Sequence, residues 1–208
     1  MSQAAHDPAA ASVLTDTTWF VEVVRDAQSG SMSAFDTLFR YYNARICTYL
    51  TRMVGNDEEG HDLAQETFIK VWRALPEMND ESRFEIWLYR IATNTAIDQL
   101  RRRKFRWPLS KNHEADDTSE SMRVAGPEEQ IEVAELIKLA LAQLSPQYRA
   151  CLLLQHVVGF SQREIAQALK LSEKSISIYV GRGSEQFRQA YERLESGHDA
   201  TKKRRSAS

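Results

Sequence analysis

Glycine, proline and cysteine are scarce in this chain of 208 residues, which contains 8, 5 and 2 of them respectively. Because few residues interrupt helices, and because no alternating β-branched run bounded by turn residues is present, we expect helices and essentially no sheet. Cys47 and Cys151 stand far apart, with no C-x-x-C motif and no histidine at ligand spacing. We therefore expect buried reduced thiols, no metal ion and no cofactor.

Signals for secretion, membrane insertion and catalysis are lacking as well. The first twenty residues contain neither the basic segment nor the apolar segment of a secretory signal. The longest apolar run, CLLLQHVVGF, is interrupted by polar residues and is far too short to span a bilayer. No glycine-rich phosphate loop, metal constellation or nucleophile–base pair is recognisable. We therefore expect a cytoplasmic protein that is not inserted into a membrane and is not an enzyme.

The net charge of −2 conceals a segregation of charge along the chain. Between Arg83 and Trp107 seven residues are basic and two are acidic, whereas six acids and one arginine lie between Glu114 and Glu129. Such a local basic cluster is an electrostatic footprint that a whole-chain sum hides. The basic stretch therefore indicates a nucleic-acid partner despite the negative total.

The distribution of apolar residues divides the chain into two helical blocks. Glycines, and the segment PEMNDES, separate the predicted helices of the first block. These helices cover 19–28, 32–54, 57–75 and 83–104. We predict an all-α protein of two small helical domains joined by a flexible linker, the second domain containing a helix-turn-helix. The division is 1–18 as a disordered tail, 19–104 and 128–194 as the two domains, 105–127 as the linker and 195–208 as a polar basic tail.

The sequence SQREIAQALKLSEKSISIYV, residues 161–180, predicts that helix-turn-helix. Ser161 and Glu164 have the spacing of a capping box, and Leu171 is expected to fill the corner between the helices. Lys170 stands where the turn usually holds glycine, at a cost of about 1 kcal/mol in the left-handed conformation. A plain helical hairpin without DNA contact is the alternative. The second helix would present to a major groove Lys174, Ser175, Ser177, Ile178 and Tyr179.

Residues 62–75, DLAQETFIKVWRAL, combine an apolar stripe with an acid–amide face. The stripe recurs at helical spacing and predicts a buried side; it consists of Ala64, Phe68, Val71, Trp72 and Leu75. The opposite side holds Asp62, Gln65, Glu66, Ile69, Lys70 and Arg73. An isoleucine among acids and an amide suits a protein docking surface, whereas a solvated charged face is the commoner explanation on composition alone.

The segment WLYRIATNTAIDQLRRRK interleaves aromatic, amide and arginine side chains on one predicted helix. Its inner side is expected to hold Leu88, Ile91, Ala92, Ala96 and Leu100. Its flanks are expected to hold Trp87, Tyr89, Arg90, Asn94, Asp98, Arg101 and Arg102. Aromatic rings stack on unpaired bases while guanidinium groups hold phosphates, so this combination favours binding of melted nucleic acid. Alternatively, Trp87 belongs to the core and the arginines complement the dipole of a solvated helix end.

Together these segments resemble a bacterial RNA polymerase sigma factor of the extracytoplasmic-function group. The resemblance rests on DLAQETFIKVWRAL, WLYRIATNTAIDQLRRRK and LSPQYRACLLLQHVVGFSQREIAQALKLSEKSI, which follow one another in the family's order and spacing. It covers about 32–104 and 128–192. It implies a region 2-like domain, a region 4-like helix-turn-helix domain and a linker that threads the RNA exit region. The implied function is promoter recognition and transcription initiation, in a stress or envelope-signal response.

The resemblance also implies partners and site residues. The partners are core RNA polymerase, through its β′ coiled coil and its β flap, promoter DNA and an anti-sigma factor. The implied polymerase-binding residues are Asp62, Gln65, Glu66, Ile69 and Arg73. The implied minus-ten DNA-binding residues are Asn79, Arg83, Trp87, Arg90, Asn94, Asp98, Arg101, Arg102 and Arg103. The implied minus-thirty-five DNA-binding residues are Arg149, Lys174, Ser175, Ser177, Tyr179 and Arg182.

Two departures from the family pattern leave alternatives open. The loop before Trp87 often reads Phe-Arg-Gly in the family, and here it holds Met78, Asn79 and Asp80. In the second domain Gly181 and Gly183 cost about 1 kcal/mol each inside a helix, so we expect the recognition helix to end or bend near Gly181. One alternative is a sigma-like adapter that binds an anti-sigma factor or polymerase without reading DNA. Another is a free-standing helix-turn-helix regulator, which leaves the first block unexplained.

Overall fold

The computed structural model describes residues 8–106 and 128–206, with the surroundings of side chains described within 18–104 and 132–198. Over these ranges it contains helices and no strand, which confirms the predicted all-α fold class. The α-helices are α1 (Pro8–Gln28), α2 (Met32–Val54), α3 (Asp57–Ala74), α4 (Phe84–Arg106), α5 (Glu128–Ala142), α6 (Pro146–Leu153), α7 (Gln162–Leu169) and α8 (Glu173–Ser206). Short 3₁₀ turns cover Leu75–Glu77 and Glu81–Arg83, and a π-helical turn covers Leu154–Val158.

The ends of α2 and α3 follow from local sequence signals. Ser31 Oγ accepts a hydrogen bond from the Ala34 amide at 3.3 Å, and Asn56 Oδ1 accepts one from the Glu59 amide at 2.8 Å. These side chains satisfy amides that lack a partner at a helix N-terminus. Gly55 ends α2 in the left-handed conformation, with a φ of 79°. Helix α2 accordingly has the predicted bounds.

The beginning of α1 differs from the prediction. The helix starts at Pro8, whereas we expected a disordered tail over 1–18 and a helix only from residue 19. Proline is well suited to the first turn of a helix because its missing N–H has no partner there. Alanine, which follows at 9–11, has the highest helix propensity. Residues 1–7 lie outside the described residues.

The first domain is built around the packing of α3 and α4 on α2. The predicted stripe of α3 is buried except for Trp72, which is half-buried, and Val71 and Leu75 are wholly inaccessible. At the centre, Tyr49 Oη and Thr93 Oγ1 form a buried hydrogen bond of 2.7 Å. Gly60 allows the close crossing of α2 and α3, since a Cβ at this position would lie 2.7 Å from Thr51 Cα.

The second domain contains the predicted helix-turn-helix. Ser161 and Glu164 form the capping box, and Lys170 ends α7 in the left-handed conformation, with a φ of 54°. The Ser175 amide donates to Ser172 Oγ at 3.1 Å, which caps α8. The expected filling of the corner by Leu171 is wrong, because this side chain is 37% exposed.

Helix α8 is longer than predicted. It continues without a break through Gly181 and Gly183 to Ser206, so the expectation that it ends near Gly181 is wrong. Gly183 packs closely on α6, where a Cβ would lie 3.3 Å from both Tyr148 and Leu152. This packing offsets the low helix propensity of glycine. The segment 195–206 is therefore helical rather than a separate tail, and the expected linker lies outside the described residues from 107 onwards.

Candidate protein and nucleic-acid interfaces

The outer face of α3 carries the residues predicted to bind polymerase. Asp62, Gln65, Ile69 and Arg73 are exposed and Glu66 is half-buried, and their spacing places all five on one side of the helix. Ile69 is 51% exposed although it is a large apolar residue. The structure thus brings this set together as a continuous surface opposite the buried stripe.

A short network orders the middle of this face. Glu66 forms an ion pair of 2.7 Å with Lys70, one helical turn further on. Lys70 Nζ also donates to Thr95 Oγ1 of α4 at 3.0 Å. Because Thr95 is buried, the network fixes Lys70 against α4 and leaves the Glu66 carboxylate oriented along the surface. Sequence reasoning placed Lys70 on the face but did not find its role between the helices.

Four of the residues predicted to bind minus-ten DNA border a shallow cleft at the start of α4. The cleft has a volume of about 260 Å³, and its walls include Asn79, Arg83, Trp87 and Arg90. Trp87 is half-buried and lies against Phe84, with ring centroids 5.9 Å apart. Trp87 therefore packs on the core through Phe84 and also lines the cleft, and its contact with nucleic acid stays a prediction. Asp80, Met78 and Ile86 also line this cleft and were not predicted.

Hydrogen bonds from two directions hold the loop that forms one wall of the cleft. Asp80 Oδ1 accepts from the Ser82 amide at 3.2 Å, and Asp80 Oδ2 pairs with Arg83 Nε at 2.9 Å. From α1, Gln28 Nε2 donates to the carbonyl oxygens of Met78 at 2.8 Å and Leu75 at 3.3 Å. Gln28 lies some fifty positions away from these carbonyls, so no local sequence signal could have identified it.

Further along α4, the predicted DNA-binding side chains are exposed. Asn94 and Asp98 continue the line from Arg90 by helical spacing, and Arg101 pairs with Asp98 at 3.2 Å. Arg102 and Arg103 are also exposed, but Arg103 lies two positions after Arg101 and so projects from the opposite side of the helix. Helical spacing thus places Arg101 and Arg102 on the side of α4 that carries Arg90 and Asn94, and Arg103 on the other side.

The expected position of Tyr89 on the flank of α4 is wrong. Its side chain is 2% exposed and packs edge-on against Tyr49 and Phe160, each with a ring-centroid distance of 5.3 Å. Burial raises the pKa of Tyr89 to about 12. Tyr89 is therefore a neutral core residue and has no role in contacting nucleic acid in this conformation.

Only some of the side chains predicted to bind DNA are fully exposed on the recognition helix, which is the N-terminal part of α8. Lys174, Ser177 and Arg182 are exposed at the N-terminal end of α8, and Ile178 between them is 43% exposed. Ser175 is half-buried, and its Oγ lies 2.8 Å from Ser172 Oγ. Tyr179 is half-buried against Tyr148, with ring centroids 5.3 Å apart. Ser175 and Tyr179 are thus engaged within the domain as well as near the surface.

The prediction that Arg149 anchors a DNA phosphate does not agree with its position. Arg149 is 5% exposed, and its Nη2 donates to the carbonyl oxygens of Ala142 at 2.9 Å and Leu144 at 3.3 Å. Its Nη1 donates to the carbonyl oxygen of Met53, in the last turn of α2. A guanidinium with three carbonyl partners in the interior cannot reach a phosphate while the domains are arranged in this way.

In the described part of the chain, no group of three or more histidine, cysteine or acidic side chains could hold a metal ion. None of the described helices is both long enough and apolar enough to cross a membrane.

Comparisons with known proteins give the same division of the chain. The family model for Sigma-70 region 2 matches residues 38–106, and that for Sigma-70 region 4 matches residues 134–187. The first match contains the face of α3 and the cleft at α4, and the second contains the helix-turn-helix.

Curated relatives match over most of their length. The chain is 29% identical to the ECF RNA polymerase sigma factor SigW of Bacillus subtilis, over 79% of this chain and 92% of the relative. It is 30% identical to the RNA polymerase sigma-H factor of Pseudomonas aeruginosa, over 83% and 94% of the two chains. It is also 30% identical to the RNA polymerase sigma factor CarQ of Myxococcus xanthus, over 81% and 95%.

Solved structures share the fold. CnrH in complex with the cytosolic domain of CnrY has a TM-score of 0.61 at 24% identity, covering 82% of this chain and 95% of that one. The sigma factor RpoE in complex with the anti-sigma factor NepR from Bartonella quintana has a TM-score of 0.63 at 20% identity, covering 76% and 96%.

Proposed function

Because this chain belongs to the extracytoplasmic-function group of RNA polymerase sigma factors, we propose that its separate surfaces divide the work of promoter recognition among them. The chain directs core RNA polymerase to promoters and to transcription initiation. One observation supports this proposal. The first domain has an exposed acid–amide face on α3 and, separately, a cleft on α4 lined by aromatic and arginine side chains. A surface for protein and a surface for nucleic acid are both needed if one domain is to join polymerase to a promoter.

The α3 face is assigned to polymerase, through the β′ coiled coil. Ile69 provides an apolar contact at the centre, and Asp62, Glu66 and Arg73 provide charges around it. This arrangement of an apolar centre within a polar rim is that of a protein interface. The Lys70 bridge to Thr95 supports the assignment, because it keeps the face ordered before binding. The second domain is assigned to the β flap.

The cleft and the α4 face are assigned to the minus-ten element. A cleft of about 260 Å³ beside Trp87 suits a single unstacked base, and Arg101 and Arg102 suit the phosphates of the same strand. In the second domain Lys174 and Arg182 would hold phosphates of the minus-thirty-five element. Ser177 would supply a hydroxyl hydrogen bond, and Ile178 would contact a thymine methyl group in the major groove.

The proposed function also includes regulation by a partner protein and action in the cytoplasm. Two structures with the same fold are complexes, one with the cytosolic domain of CnrY and the other with the anti-sigma factor NepR. By analogy with these complexes, this chain would be held by an anti-sigma factor, released in a stress or envelope-signal response, and would act in the cytoplasm. It would act as a polymerase subunit without enzyme activity of its own.

Run-off transcription with core polymerase on a library of genomic fragments tests the proposal. Reading the start sites gives the minus-ten and minus-thirty-five sequences in the same experiment. Discrete start sites that require the chain support the proposal. Binding to core polymerase without initiation at any fragment would favour the adapter alternative.

A further inference from the structure

A groove between α1 and α2 leaves two large aromatic side chains exposed. Trp19 is 52% exposed and Tyr41 is 53% exposed, and both line this groove together with Phe20, Val23 and Leu38. The groove has a volume of about 300 Å³, close to the volume of about 260 Å³ of the cleft at the start of α4. Single exposed apolar residues are common on protein surfaces, but several that line one concave surface indicate a binding site.

The α1 side of the groove lies outside the part of the chain that matches the family model. The match to Sigma-70 region 2 begins at residue 38, after Trp19, Phe20 and Val23. Helix α1 nevertheless packs along α2, and its residues Val24 and Ala27 are buried. The groove therefore belongs to two packed helices rather than to a loop, so its side chains are largely in place before anything binds.

Packed aromatic rings connect the groove with the cleft at α4. Within the groove, the ring centroids of Tyr41 and Phe20 are 6.4 Å apart. Phe20 lies 6.1 Å from Phe84 by the same measure. Phe84 lies 5.9 Å from Trp87, which lines the cleft. Two phenylalanine rings thus lie between the groove and the cleft, so a single strand with one base in the cleft has neighbouring nucleotides within a short distance of the groove.

A guanidinium group lies beside the exposed tyrosine of the groove. Arg45 Cζ is 4.8 Å from the centroid of the Tyr41 ring, and the Arg45 side chain is exposed. Arg40 also lines the groove, but it forms an ion pair of 2.9 Å with Asp36. Arg45 is therefore the cation placed for a phosphate. A ring face with a guanidinium beside it is the combination that binds unpaired nucleotides, since the base stacks on the ring and the guanidinium holds the phosphate.

An apolar side chain of a partner protein is the other kind of occupant that such a groove could take. Two observations favour a nucleotide. One is the position of Arg45 over Tyr41, and the other is the continuity of the groove with a cleft that we assign to an unstacked base.

We propose that the groove between α1 and α2 is a second site for single-stranded DNA, and that it stacks an unpaired base of the strand that enters the α4 cleft. Trp19 and Tyr41 supply the ring faces, and Arg45 binds a phosphate. Because stacking tolerates every base, this site stabilises melted DNA without selecting a sequence. The inference rests on the proposed function for the identity of the strand, but binding of single-stranded DNA by the groove is a property of the free chain.

Photochemical cross-linking of the full chain tests the groove without polymerase. The probe is a single-stranded thymidine oligonucleotide that carries 5-iodouracil, a base that cross-links to adjacent aromatic side chains on irradiation. We expect cross-links at Trp19 or Tyr41, mapped by mass spectrometry, and their loss when the oligonucleotide is annealed to its complement. The same base placed along the melted strand of a promoter, in complexes with core polymerase, should give the same cross-links. Their absence in both experiments would overturn the proposal.

Substitutions distinguish stacking from a general apolar contact. Trp19→Ala and Tyr41→Ala should each shorten the lifetime of open promoter complexes about tenfold, as expected for the loss of one base–ring stack, and should leave the affinity for core polymerase unchanged. Trp19→Phe should restore the lifetime, whereas Trp19→Leu should not, because leucine has no ring on which a base can stack. Met32→Ala is the matched control, since Met32 is a 64% exposed apolar residue of α2 that lines neither the groove nor the cleft.

The outcomes separate this proposal from the proposed function. If the two alanine variants, folded by circular dichroism, keep the wild-type lifetime, the groove does not bind DNA. A loss of polymerase affinity that Trp19→Leu restores would show that the groove binds an apolar side chain of a protein instead. Cross-links at the groove in a chain that never initiates transcription would refute only the proposed function. Initiation without these cross-links would refute only the second site.

Discussion

Gln28 Nε2 donates a hydrogen bond of 2.8 Å to the carbonyl oxygen of Met78, and thereby ties helix α1 to the loop that borders the cleft at the start of α4. The same amide reaches the Leu75 carbonyl at 3.3 Å. Asn79 and Asp80, which follow directly, line the cleft. The position of this loop therefore depends on Gln28, which does not itself line the cleft.

Replacing Gln28 by alanine should loosen this loop. We expect discrimination among minus-ten sequences to fall about tenfold, equivalent to 1.4 kcal/mol, with little change in affinity for core polymerase. Competitive run-off transcription on promoter variants measures the discrimination. Gln99→Ala is the control, because the Gln99 amide donates to Glu59 at 2.6 Å and ties α4 to α3 without touching the loop. If both variants lost discrimination among promoters equally, Gln28 would act only by stabilising the first domain.

Reversal of charge on α3 should weaken polymerase binding strongly. With Asp62→Lys and Glu66→Lys together, we expect a loss of at least about 2 kcal/mol, or ~30-fold in Kd, because both carboxylates lie on the same side of α3 as the exposed Ile69. Titration of labelled protein with core polymerase gives the Kd. The control, Glu22→Lys with Asp36→Lys, makes the same change of charge on the first domain and also breaks an i,i+4 ion pair, that of Asp36 with Arg40 at 2.9 Å. Wild-type affinity in the α3 variant, with helicity intact, would show that docking lies elsewhere.

The arginines at the end of α4 should act on phosphates rather than on bases. Arg101→Gln and Arg102→Gln should each lower the salt dependence of promoter-complex formation by roughly one unit of slope, uniformly across sequences. Arg103→Gln should have less effect, because this side chain lies on the other side of the helix. Arg40→Gln and Arg52→Gln, at exposed positions on α2, control for the loss of positive charge. Altered sequence preference with an unchanged slope would contradict the assignment.

Replacing each of two glycines by alanine should change the free energy of unfolding in opposite directions. Gly60→Ala should destabilise the first domain by about 1–3 kcal/mol, because the new Cβ would lie 2.7 Å from Thr51 Cα. Gly181→Ala should stabilise α8 by about 0.5–1 kcal/mol, since a Cβ there meets no atom within 4 Å and alanine has the higher helix propensity. Denaturant unfolding measures both changes. A stabilised Gly60→Ala variant would show that α2 and α3 cross less closely than described.

Local features of this chain could be predicted from its sequence, and contacts between distant segments could not. The Ser161–Glu164 capping box, the left-handed Lys170 and the buried stripe of α3 each depend on residues a few positions apart. Arg149 was misassigned because its Met53 partner lies 96 positions away. The path of α8 through Gly183 depends likewise on its contact with α6, which no helix-propensity value contains. The exposed face of α3 could therefore be predicted from the sequence, whereas the contacts between distant segments could not.

We propose that this chain gives core polymerase the ability to start transcription at particular promoters, through both of its domains. The most direct test is run-off transcription by core polymerase on a genomic library, with the wild-type chain and with the Asp62→Lys, Glu66→Lys variant in parallel. We predict discrete transcripts, with shared upstream elements, that appear with the wild-type chain and disappear with the variant. Equal transcript patterns with and without the chain would show that it does not direct core polymerase to promoters.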